Sequence, residues 1–525
     1  MDKYKLELLK ECFTKRKPMG PISSDKLTNP SVMRALFDTE NRIYRELARQ
    51  PSLIVGRKGA GKTAFLRSVQ LDERYKIVAE IKTHEAFLYV VQSIEQIAGN
   101  LPFVESVAEI WDTVFWTAIF SELTKTEFDH NDETPIITKY LDGLGIKKRT
   151  TADTVIKEII NTISERSKGS AMLTAAVISK LAFNDVSFVE AKDAAERLLK
   201  NNKVRAVVLM DSMEDFPLEQ HNVARALAGL LKTIGQFSDN SGLAEIRFCV
   251  PAEMWHSFYE LSSNPLKDFE HHVTIHWHAG ELIRICANRL ATYLAIHEPQ
   301  LYDFLGIDSY NLNFRKDAIL FFKGIMPDTI TNGLGMNEDT IAYILRHTQL
   351  LPRQLFTYLV NIISKNSRSG GDISNIKEAA IKEGVFGSEV DISNEIFSAY
   401  YFLYPCLRKV CEKCIPYLTF EFSVGHLHQV FNRHGKAISR HEDFDDFLRM
   451  LIEVGVVGRV INRTDRYIEG MFEYTVPHKL VVSTEDTLCL HPAFCQVFSA
   501  IYPEKGGRVV YPYGSDLDGT DYRDW

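Results

Sequence analysis

Eight consecutive residues combine glycines, a lysine and a threonine at a spacing that suits phosphate binding. They are Gly56, Arg57, Lys58, Gly59, Ala60, Gly61, Lys62 and Thr63, and they match the pattern G-x-x-x-x-G-K-[ST] at every required position. The glycines tolerate positive φ, so the backbone N–H groups can curl around phosphate oxygens. The Lys62 ammonium would reach the β- and γ-phosphates, and the Thr63 hydroxyl would coordinate Mg²⁺. The pattern predicts a binding site for ATP or ADP with a magnesium ion.

The flanking sequence predicts the elements that must hold this phosphate loop (residues 56–63). Residues 52–55 form an apolar run typical of a buried strand, and residues 64–69 are typical of the start of a helix. A strand, a loop and a helix in this order are the context that phosphate binding requires. The helix N-terminus adds partial positive charge beside the phosphates, and we therefore include Ala64 among the predicted nucleotide-binding residues.

A carboxylate is expected at the end of a neighbouring strand, where it would hold the Mg²⁺ ion directly or through water. Residues 204–210 form another apolar run, and Asp211 follows it directly. Asp211 is therefore predicted to share the Mg²⁺ ion with Thr63. The alternative is that Asp211 simply caps the N-terminus of a helix.

Hydrolysis would also need a group that orients or deprotonates water. Ser212 stands where many ATPases of this type carry a glutamate directly after the aspartate. We predict Glu214 as the base, with Asp215 as the alternative; both could instead be solvated loop acids. If neither acts, the protein binds nucleotide and turns it over slowly, as a switch would.

A downstream arginine is a candidate for contact with the γ-phosphate. Residues 350–356 begin an apolar-periodic helix, and Arg353 lies in its first turn. The helix dipole does not favour a positive side chain at this end of a helix. We therefore predict that Arg353 reaches the γ-phosphate and acts in catalysis. An ordinary surface arginine is the alternative.

Four stretches together resemble the AAA+ and STAND group of P-loop NTPases, particularly the branch shared with archaeal origin-recognition initiators. They are the phosphate loop, the strand end at residues 211–215, the pair Pro352-Arg353, and residues 277–282, which lead into a helix with Arg289. The resemblance covers roughly residues 40–365. It implies a Mg²⁺-dependent ATPase in which Arg353 contacts nucleotide from a helical lid. The chain departs from the group because its fourth strand lacks the polar sensor residue and no arginine finger can be named.

The resemblance implies a slow ATPase that acts as a switch within a larger complex, in bacterial anti-phage defence or in signalling. The alternative function is that of a DNA-binding initiator or transcription regulator. The expected partners are ATP or ADP and a protein partner or effector chain, with a homo-oligomer and DNA as further candidates. The sequence shows no second catalytic constellation of the nuclease, protease or deaminase type.

Short apolar runs separated by helical segments predict a parallel sheet covered on both faces. The predicted strands are residues 52–55, 75–81, 204–210, 246–250 and 273–275. The predicted fold class is α/β: a parallel-sheet P-loop NTPase core with a helical insertion, a helical lid and a C-terminal winged-helix-like domain. The expected domains are a helical lead-in (1–40), the core (41–278, with the insertion at about 85–200), the lid (279–390), the winged-helix-like domain (391–505) and an acidic tail (506–525).

The winged-helix-like domain is predicted from three helices and a two-stranded wing. The helices are residues 394–404, 424–432 and 442–453, and the strands are residues 456–461 and 467–475. Acidic residues on the third helix would repel the phosphates of DNA, so we favour protein contact; they are Glu442, Asp443, Asp445 and Asp446. The arginines of the wing keep DNA as the alternative; they are Arg459, Arg463 and Arg466.

Composition narrows the setting of the protein. The net charge of −8 provides no global positive field for nucleic acid. No apolar stretch approaches the ~18–20 residues that a membrane helix needs, and the N-terminus lacks the apolar core of a signal peptide. Eight cysteines without such a signal indicate reduced thiols, and we expect a cytoplasmic protein without membrane contact.

One group of cysteines leaves a metal site open. Cys406, Cys411 and Cys414 form a C-x4-C-x2-C cluster, with His426 and His428 nearby. Three thiolates and an imidazole could hold Zn²⁺. The alternative is that these cysteines are buried core residues of a largely apolar helical segment.

Overall fold

The structure is a computed structural model of the 525-residue chain. It describes residues 3–23, 29–37, 42–47, 50–96, 104–144, 146, 186–212, 220–238, 242–262, 264–265, 269–438, 443–475, 479–504 and 507–512. The chain divides into two compact units. The parallel-sheet unit comprises Arg42–Arg57 and Gly61–Ile275, and the helix-rich unit comprises Met1–Asn41, Lys58–Ala60 and His276–Trp525.

In the first half of the chain each strand is followed by one or more helices, and helices dominate the second half. The helices are α1 (Lys3–Leu9), α2 (Pro30–Leu36), α3 (Arg42–Leu47), α4 (Lys62–Arg67), α5 (Thr83–Gln96), α6 (Val104–Leu123), α7 (Thr134–Gly143), α8 (Val186–Asn201), α9 (His221–Ser238), α10 (Trp255–Leu261), α11 (Ala279–His297), α12 (Pro299–Phe304), α13 (Arg315–Lys323), α14 (Thr340–Arg346), α15 (Pro352–Arg368), α16 (Glu378–Ala399), α17 (Leu407–Cys414), α18 (Val424–Val430), α19 (Phe444–Glu453) and α20 (Pro492–Cys495). The strands are β1 (Leu53–Gly56), β2 (Tyr75–Ile81), β3 (Arg205–Met210), β4 (Ala244–Pro251), β5 (His272–Thr274), β6 (Thr329–Thr331), β7 (Asn337–Asp339), β8 (Glu421–Ser423), β9 (Val457–Arg463), β10 (Tyr467–Met471), β11 (Thr487–Leu490) and β12 (Val509–Tyr511).

The parallel-sheet unit is built around five strands in the order β2-β3-β4-β1-β5. Every neighbouring pair is parallel, which confirms the predicted α/β class and parallel sheet. All residues of β1 are buried, as expected for a strand covered on both faces. β1 lies between β4 and β5, where the sequential order of the strands is interrupted. Ligands of open α/β sheets bind beyond the carboxyl ends of the strands at such a position.

Helices α6 and α9 pack closely in this unit. Trp111 of α6 donates a hydrogen bond from Nε1 to the Ala226 carbonyl of α9 at 2.9 Å. A side chain at Gly229 would be obstructed, because its Cβ would lie 2.5 Å from Val107 Cγ1. The described part of the region predicted as a helical insertion contains α5, α6, α7 and α8, and residues 147–185 lie outside the described residues.

In the helix-rich unit, the long helices α15 and α16 pack against each other. Gly384 of α16 permits the close approach, because a Cβ there would lie 2.6 Å from Ile362 Cγ1 of α15. Residues 390 and 391, between which the sequence predicted a domain boundary, both lie inside α16. Strands β6 and β7 form a separate antiparallel pair just before α14.

A second five-stranded sheet, in the order β12-β10-β9-β11-β8, lies in the C-terminal part of this unit. β9 and β10 form the antiparallel hairpin that was predicted as a two-stranded wing. The hairpin is not isolated, because β11 pairs with β9 and β12 pairs with β10. The second strand of the hairpin is shorter than predicted, since a 3-10 turn occupies Glu473–Thr475.

The helices beside this sheet also differ in their bounds from the sequence predictions. α16 ends at Ala399, and α18 is followed by a π-helical turn, Phe431–Gly435. α19 begins after Asp443, whose carboxylate accepts a hydrogen bond from the Asp446 N–H at 2.9 Å. Glu442 lies outside the described residues.

The described residues bear on the expectations about membrane contact, cysteines and metal binding. Within the described part of the chain, no helix has the length and apolar character needed to cross a membrane. The eight cysteines form no disulfide, and Cys411 and Cys414 are buried. No group of three or more His, Cys, Asp or Glu side chains is arranged to hold a metal ion among the residues that the structure describes. The cysteines near residue 410 are therefore not gathered into a zinc site there.

Candidate nucleotide-binding site

The phosphate loop connects the end of β1 to the start of α4 and has the backbone that its glycines permit. Gly59 has φ of +86° and Gly61 has φ of +94°, values in the left-handed region that side chains with a Cβ avoid. Gly56 has no such φ, but a Cβ there would lie 3.1 Å from Lys62 Cγ and 3.3 Å from Ile275 Cβ. The loop thus uses three glycines, the two that the pattern requires and Gly59, to form its curved backbone.

Lys62 begins α4 and is almost fully buried, with 5% of its surface exposed. Its ammonium donates to the carbonyl of Arg57, across the loop, at 3.4 Å. This hydrogen bond is long and therefore weak. The positive charge is held inside the curve of the loop, where phosphate oxygens would need it. Ala64 follows in the first turn of α4.

Asp211 follows β3 directly and meets Thr63, although the two residues are 148 positions apart in the chain. The Thr63 hydroxyl donates to Asp211 Oδ2 at 2.7 Å. Asp211 Oδ1 accepts from the Ser212 N–H at 2.7 Å, and the Asp211 carbonyl accepts from the Thr83 hydroxyl at 2.8 Å. The carboxylate is therefore held beside the loop.

Cys249 is a neighbour of this site that sequence reasoning missed. It lies in β4, opposite Ile54 of β1, and is fully buried. Burial raises the pKa of the Cys249 thiol well above its usual value, and the nearby Asp211 carboxylate raises it further while Lys62 opposes both. The thiol is therefore neutral. Its position late in a buried strand was the only signal in the sequence.

Residues of the helix-rich unit contact the part of the loop that belongs to that unit. Trp277 Nε1 donates to the Ala60 carbonyl at 2.8 Å. Arg353, in the first turn of α15, is so close that a Cβ on Gly59 would lie 3.3 Å from Arg353 Cβ. The Arg353 guanidinium donates from Nη1 to Glu395 Oε1 of α16 at 2.6 Å. Arg353 is thus beside the loop and already paired with an acid.

Three other residues singled out in the sequence are not part of the site that the structure describes. Glu214 and Asp215 lie outside the described residues. Arg289 of α11 donates from Nη1 to the carbonyls of Met19 and Pro21 at 2.9 and 2.8 Å, and its guanidinium lies over the Phe356 ring. These contacts give Arg289 a structural role in the helix-rich unit.

The side chains at this site fit a nucleotide with Mg²⁺. Magnesium prefers hard oxygen ligands such as hydroxyls and carboxylates, and Thr63 and Asp211 place one of each in direct contact. Gly59 and Gly61 have the positive φ values that let the backbone curve around a phosphate group. The Lys62 ammonium supplies the positive charge that a triphosphate needs.

The sequence matches no protein-family profile, and it matches no curated protein. Among solved structures, the chain is similar to the ORC2 protein of Aeropyrum pernix, described in ADPNP–ADP complexes. The sequence identity is 12%, the match covers 89% of this chain and 92% of that one, and the TM-score is 0.34. A TM-score of this size supports no conclusion about the present chain.

Proposed function

We propose that this chain is an ATP-binding switch ATPase that binds ATP with Mg²⁺ at the phosphate loop and Asp211. The observation that carries the proposal is the 2.7 Å hydrogen bond between Thr63 and Asp211. The sequence pattern required a hydroxyl and a carboxylate at the same Mg²⁺ ion. Two distant segments supply this pair at the carboxyl end of a parallel sheet, where nucleotides bind in this class of fold.

Each residue of the site has a distinct task in this proposal. The backbone N–H groups of the loop would hold phosphate oxygens. The Lys62 ammonium would exchange its weak hydrogen bond with the Arg57 carbonyl for the β- and γ-phosphates. Thr63 and Asp211 would hold Mg²⁺, which when bound neutralises charge on the phosphates. Glu214 is the proposed base, and Ser212 in the position next to Asp211 is the reason to expect slow turnover.

The resemblance of four stretches to AAA+ and STAND NTPases supports a switch rather than a metabolic enzyme. In that setting Arg353 would sense the γ-phosphate, and its position beside Gly59 supports this role. We further propose that the switch acts within a larger cytoplasmic complex, in anti-phage defence or signalling, with a protein partner. The DNA-binding alternative lacks a specific observation, since Arg463 of the hairpin is paired with Glu421 at 2.5 Å and Arg459 donates to the Val481 carbonyl.

Isothermal titration of the full chain with ATP and ADP, each with and without Mg²⁺, tests the proposal. Lys62→Ala should weaken ATP binding about 10- to 100-fold, because a hydrogen bond to a charged group contributes about 1.5–3 kcal/mol. Lys232→Ala is the matched control: Lys232 lies on α9 of the same unit and pairs with Glu105 at 2.6 Å, and its loss should leave binding unchanged. Absence of ATP and ADP binding by folded wild-type protein would overturn the proposal.

A further inference from the structure

A half-open cavity of about 380 Å³ lies in the helix-rich unit, and no residue of the phosphate loop lines it. Its volume is within the range of small-molecule sites, which are typically about 300–1,000 Å³. Four aromatic rings line it, and they come from α14, α16, the segment before β8 and the segment after α20; they are Tyr343, Phe386, Phe420 and Tyr502. Aromatic walls of this kind suit a planar ring, because stacked and edge-on contacts are both favourable.

His347 lines the cavity, and one of its ring nitrogens has no hydrogen-bond partner in the described part of the chain. Its Nδ1 is hydrogen-bonded to Glu389 Oε1 of α16 at 2.6 Å. Its Nε2 is buried and has no hydrogen-bond partner among the residues that the structure describes. Burial raises the pKa of Glu389 well above its usual value and, with the charges of Arg346 and His491, lowers the pKa of His347 well below its own. Both shifts favour the uncharged pair; when protonated Glu389 donates to Nδ1, the ring proton is on Nε2, which is then a donor.

Asn332 also lines the cavity and has an unsatisfied donor in the described part of the chain. Its Oδ1 accepts from the N–H groups of Leu334 and Met336 at 2.9 and 3.1 Å, which fixes the orientation of the amide. Its Nδ2 is buried and has no hydrogen-bond partner in the described part of the chain. Only 6% of the Asn332 surface is exposed. A buried polar atom of this kind costs about 1–3 kcal/mol unless a partner satisfies it.

Arg346 also lines the cavity, and the Glu338 carboxylate neutralises its charge. Its Nε and Nη2 both donate to the Glu338 carboxylate at 3.0 Å, and Glu338 accepts from the Tyr511 hydroxyl at 2.8 Å. This bidentate pair holds the guanidinium rigid. The cavity therefore offers fixed donors without a strong net charge, so its ligand needs acceptors rather than a full negative charge.

We propose that this cavity binds a small planar heterocycle whose carbonyl or ring-nitrogen atoms accept hydrogen bonds from Asn332 and His347, as a nucleobase would. The aromatic side chains would stack on the ring, and the two donors would fix its orientation. The lining of the cavity includes no residue of the phosphate loop, so the cavity can bind its ligand whether or not the nucleotide site is functional.

The test uses the full chain, with uracil and adenine as probes and indole as a planar ring without a comparable acceptor. Binding is measured by saturation-transfer NMR and calorimetry. Uracil or adenine should bind, and indole at least ten-fold more weakly. Asn332→Asp replaces the Nδ2 donor by an acceptor without a change of size, and it should weaken binding at least ten-fold. Asn311→Asp is the matched control, since Asn311 Oδ1 also accepts a local backbone N–H, in an exposed turn.

Phe386→Ala gives a second readout that does not threaten folding, because 52% of the Phe386 surface is exposed. It should weaken uracil or adenine binding several-fold through lost stacking. Melting temperatures of all variants show whether each is folded. The proposal is overturned if neither heterocycle binds, if indole binds equally well, or if binding is unaffected by Asn332→Asp in a folded variant.

Discussion

Arg353 is the residue whose role depends most on its partner. The structure places it beside Gly59 but pairs its guanidinium with Glu395 at 2.6 Å. An arginine cannot give its full charge to a γ-phosphate while a carboxylate holds it, because the two anions compete for the same donors. Glu395 is therefore expected to oppose the ATP-bound form.

Glu395→Gln should raise the affinity for ATP about three- to ten-fold and leave the affinity for ADP unchanged. The amide removes the competing charge, and ADP has no γ-phosphate to profit from the release. Both side chains of the pair are partly exposed, so the gain is limited by solvent screening. Calorimetric titration with each nucleotide measures the effect.

Glu383→Gln is the control for this comparison. Glu383 lies on the same helix, and its carboxylate is 4.0 Å from the Lys365 ammonium of α15. This ion pair joins the same two helices but is weaker than the pair of Arg353 and Glu395. Its replacement should alter neither affinity. Equal changes for ATP and ADP in the Glu395 variant would contradict a role for Arg353 at the γ-phosphate.

The sequence predicted Lys62, Thr63 and Asp211 together because each belongs to a local pattern. A loop motif fixes the first two, and an acid that ends an apolar strand identifies the third. Glu395 and Cys249 were missed for a physical reason. Their approach to the site depends on how helices and strands pack, and no local spacing encodes that. Glu214 stays a prediction.

Strands were easier to predict than helix junctions. The five parallel strands begin and end within two residues of the sequence predictions, because buried apolar runs bounded by turns and polar residues have little freedom. α16 was not recognised as one helix. Its glycines, Gly384 and Gly387, lower helix propensity, and the sequence alone does not reveal that one of them serves close packing.

Gly384→Ala should destabilise the protein by about 1–3 kcal/mol, the usual cost of overpacking a core. A Cβ there would lie 2.7 Å from the Ile362 backbone nitrogen and Cα as well as 2.6 Å from its Cγ1, so α15 and α16 would have to separate. Urea denaturation followed by circular dichroism measures the change.

Gly387→Ala, on the same helix, should stabilise the protein rather than destabilise it. A Cβ at Gly387 meets only the flexible end of Lys365, at 4.0 Å. Alanine has the higher helix propensity, so stability should rise by about 0.5–1 kcal/mol. Equal stability of the two alanine variants would contradict the claim that Gly384 is needed for the close packing of α15 and α16.

The stability of the folded chain should depend on pH through Glu389. Burial raises the pKa of this carboxyl well above its usual value, so the folded chain keeps a proton that the unfolded chain loses above about pH 4.3. The contribution of Glu389 to the stability of the folded chain therefore falls as the pH rises. The titratable groups that act on Glu389 or are affected by it are Tyr343, Arg346, His347, Cys495 and Tyr502.

Glu389→Gln removes this proton-linked cost while keeping the size of the side chain and a donor for His347 Nδ1. The variant should gain stability relative to wild type between pH 5 and pH 8, at up to about 1.4 kcal/mol per pH unit. Melting temperatures over this range measure the difference. Glu383→Gln, at an exposed position, should show no such trend, and a flat difference for Glu389→Gln would mean that the carboxyl ionises freely in the folded chain.

A single uninterrupted rod, α16, carries Phe386, Glu389 and Glu395. The last two are six positions apart, or about 9 Å along the axis. A helix moves as a rigid body. A ligand in the cavity that displaced Phe386 or Glu389 would therefore also displace Glu395, the acid that restrains Arg353. Thermodynamic reciprocity then requires ATP to change the affinity of that occupant by the same factor. The protein would respond to two small molecules at once, as a coincidence detector does.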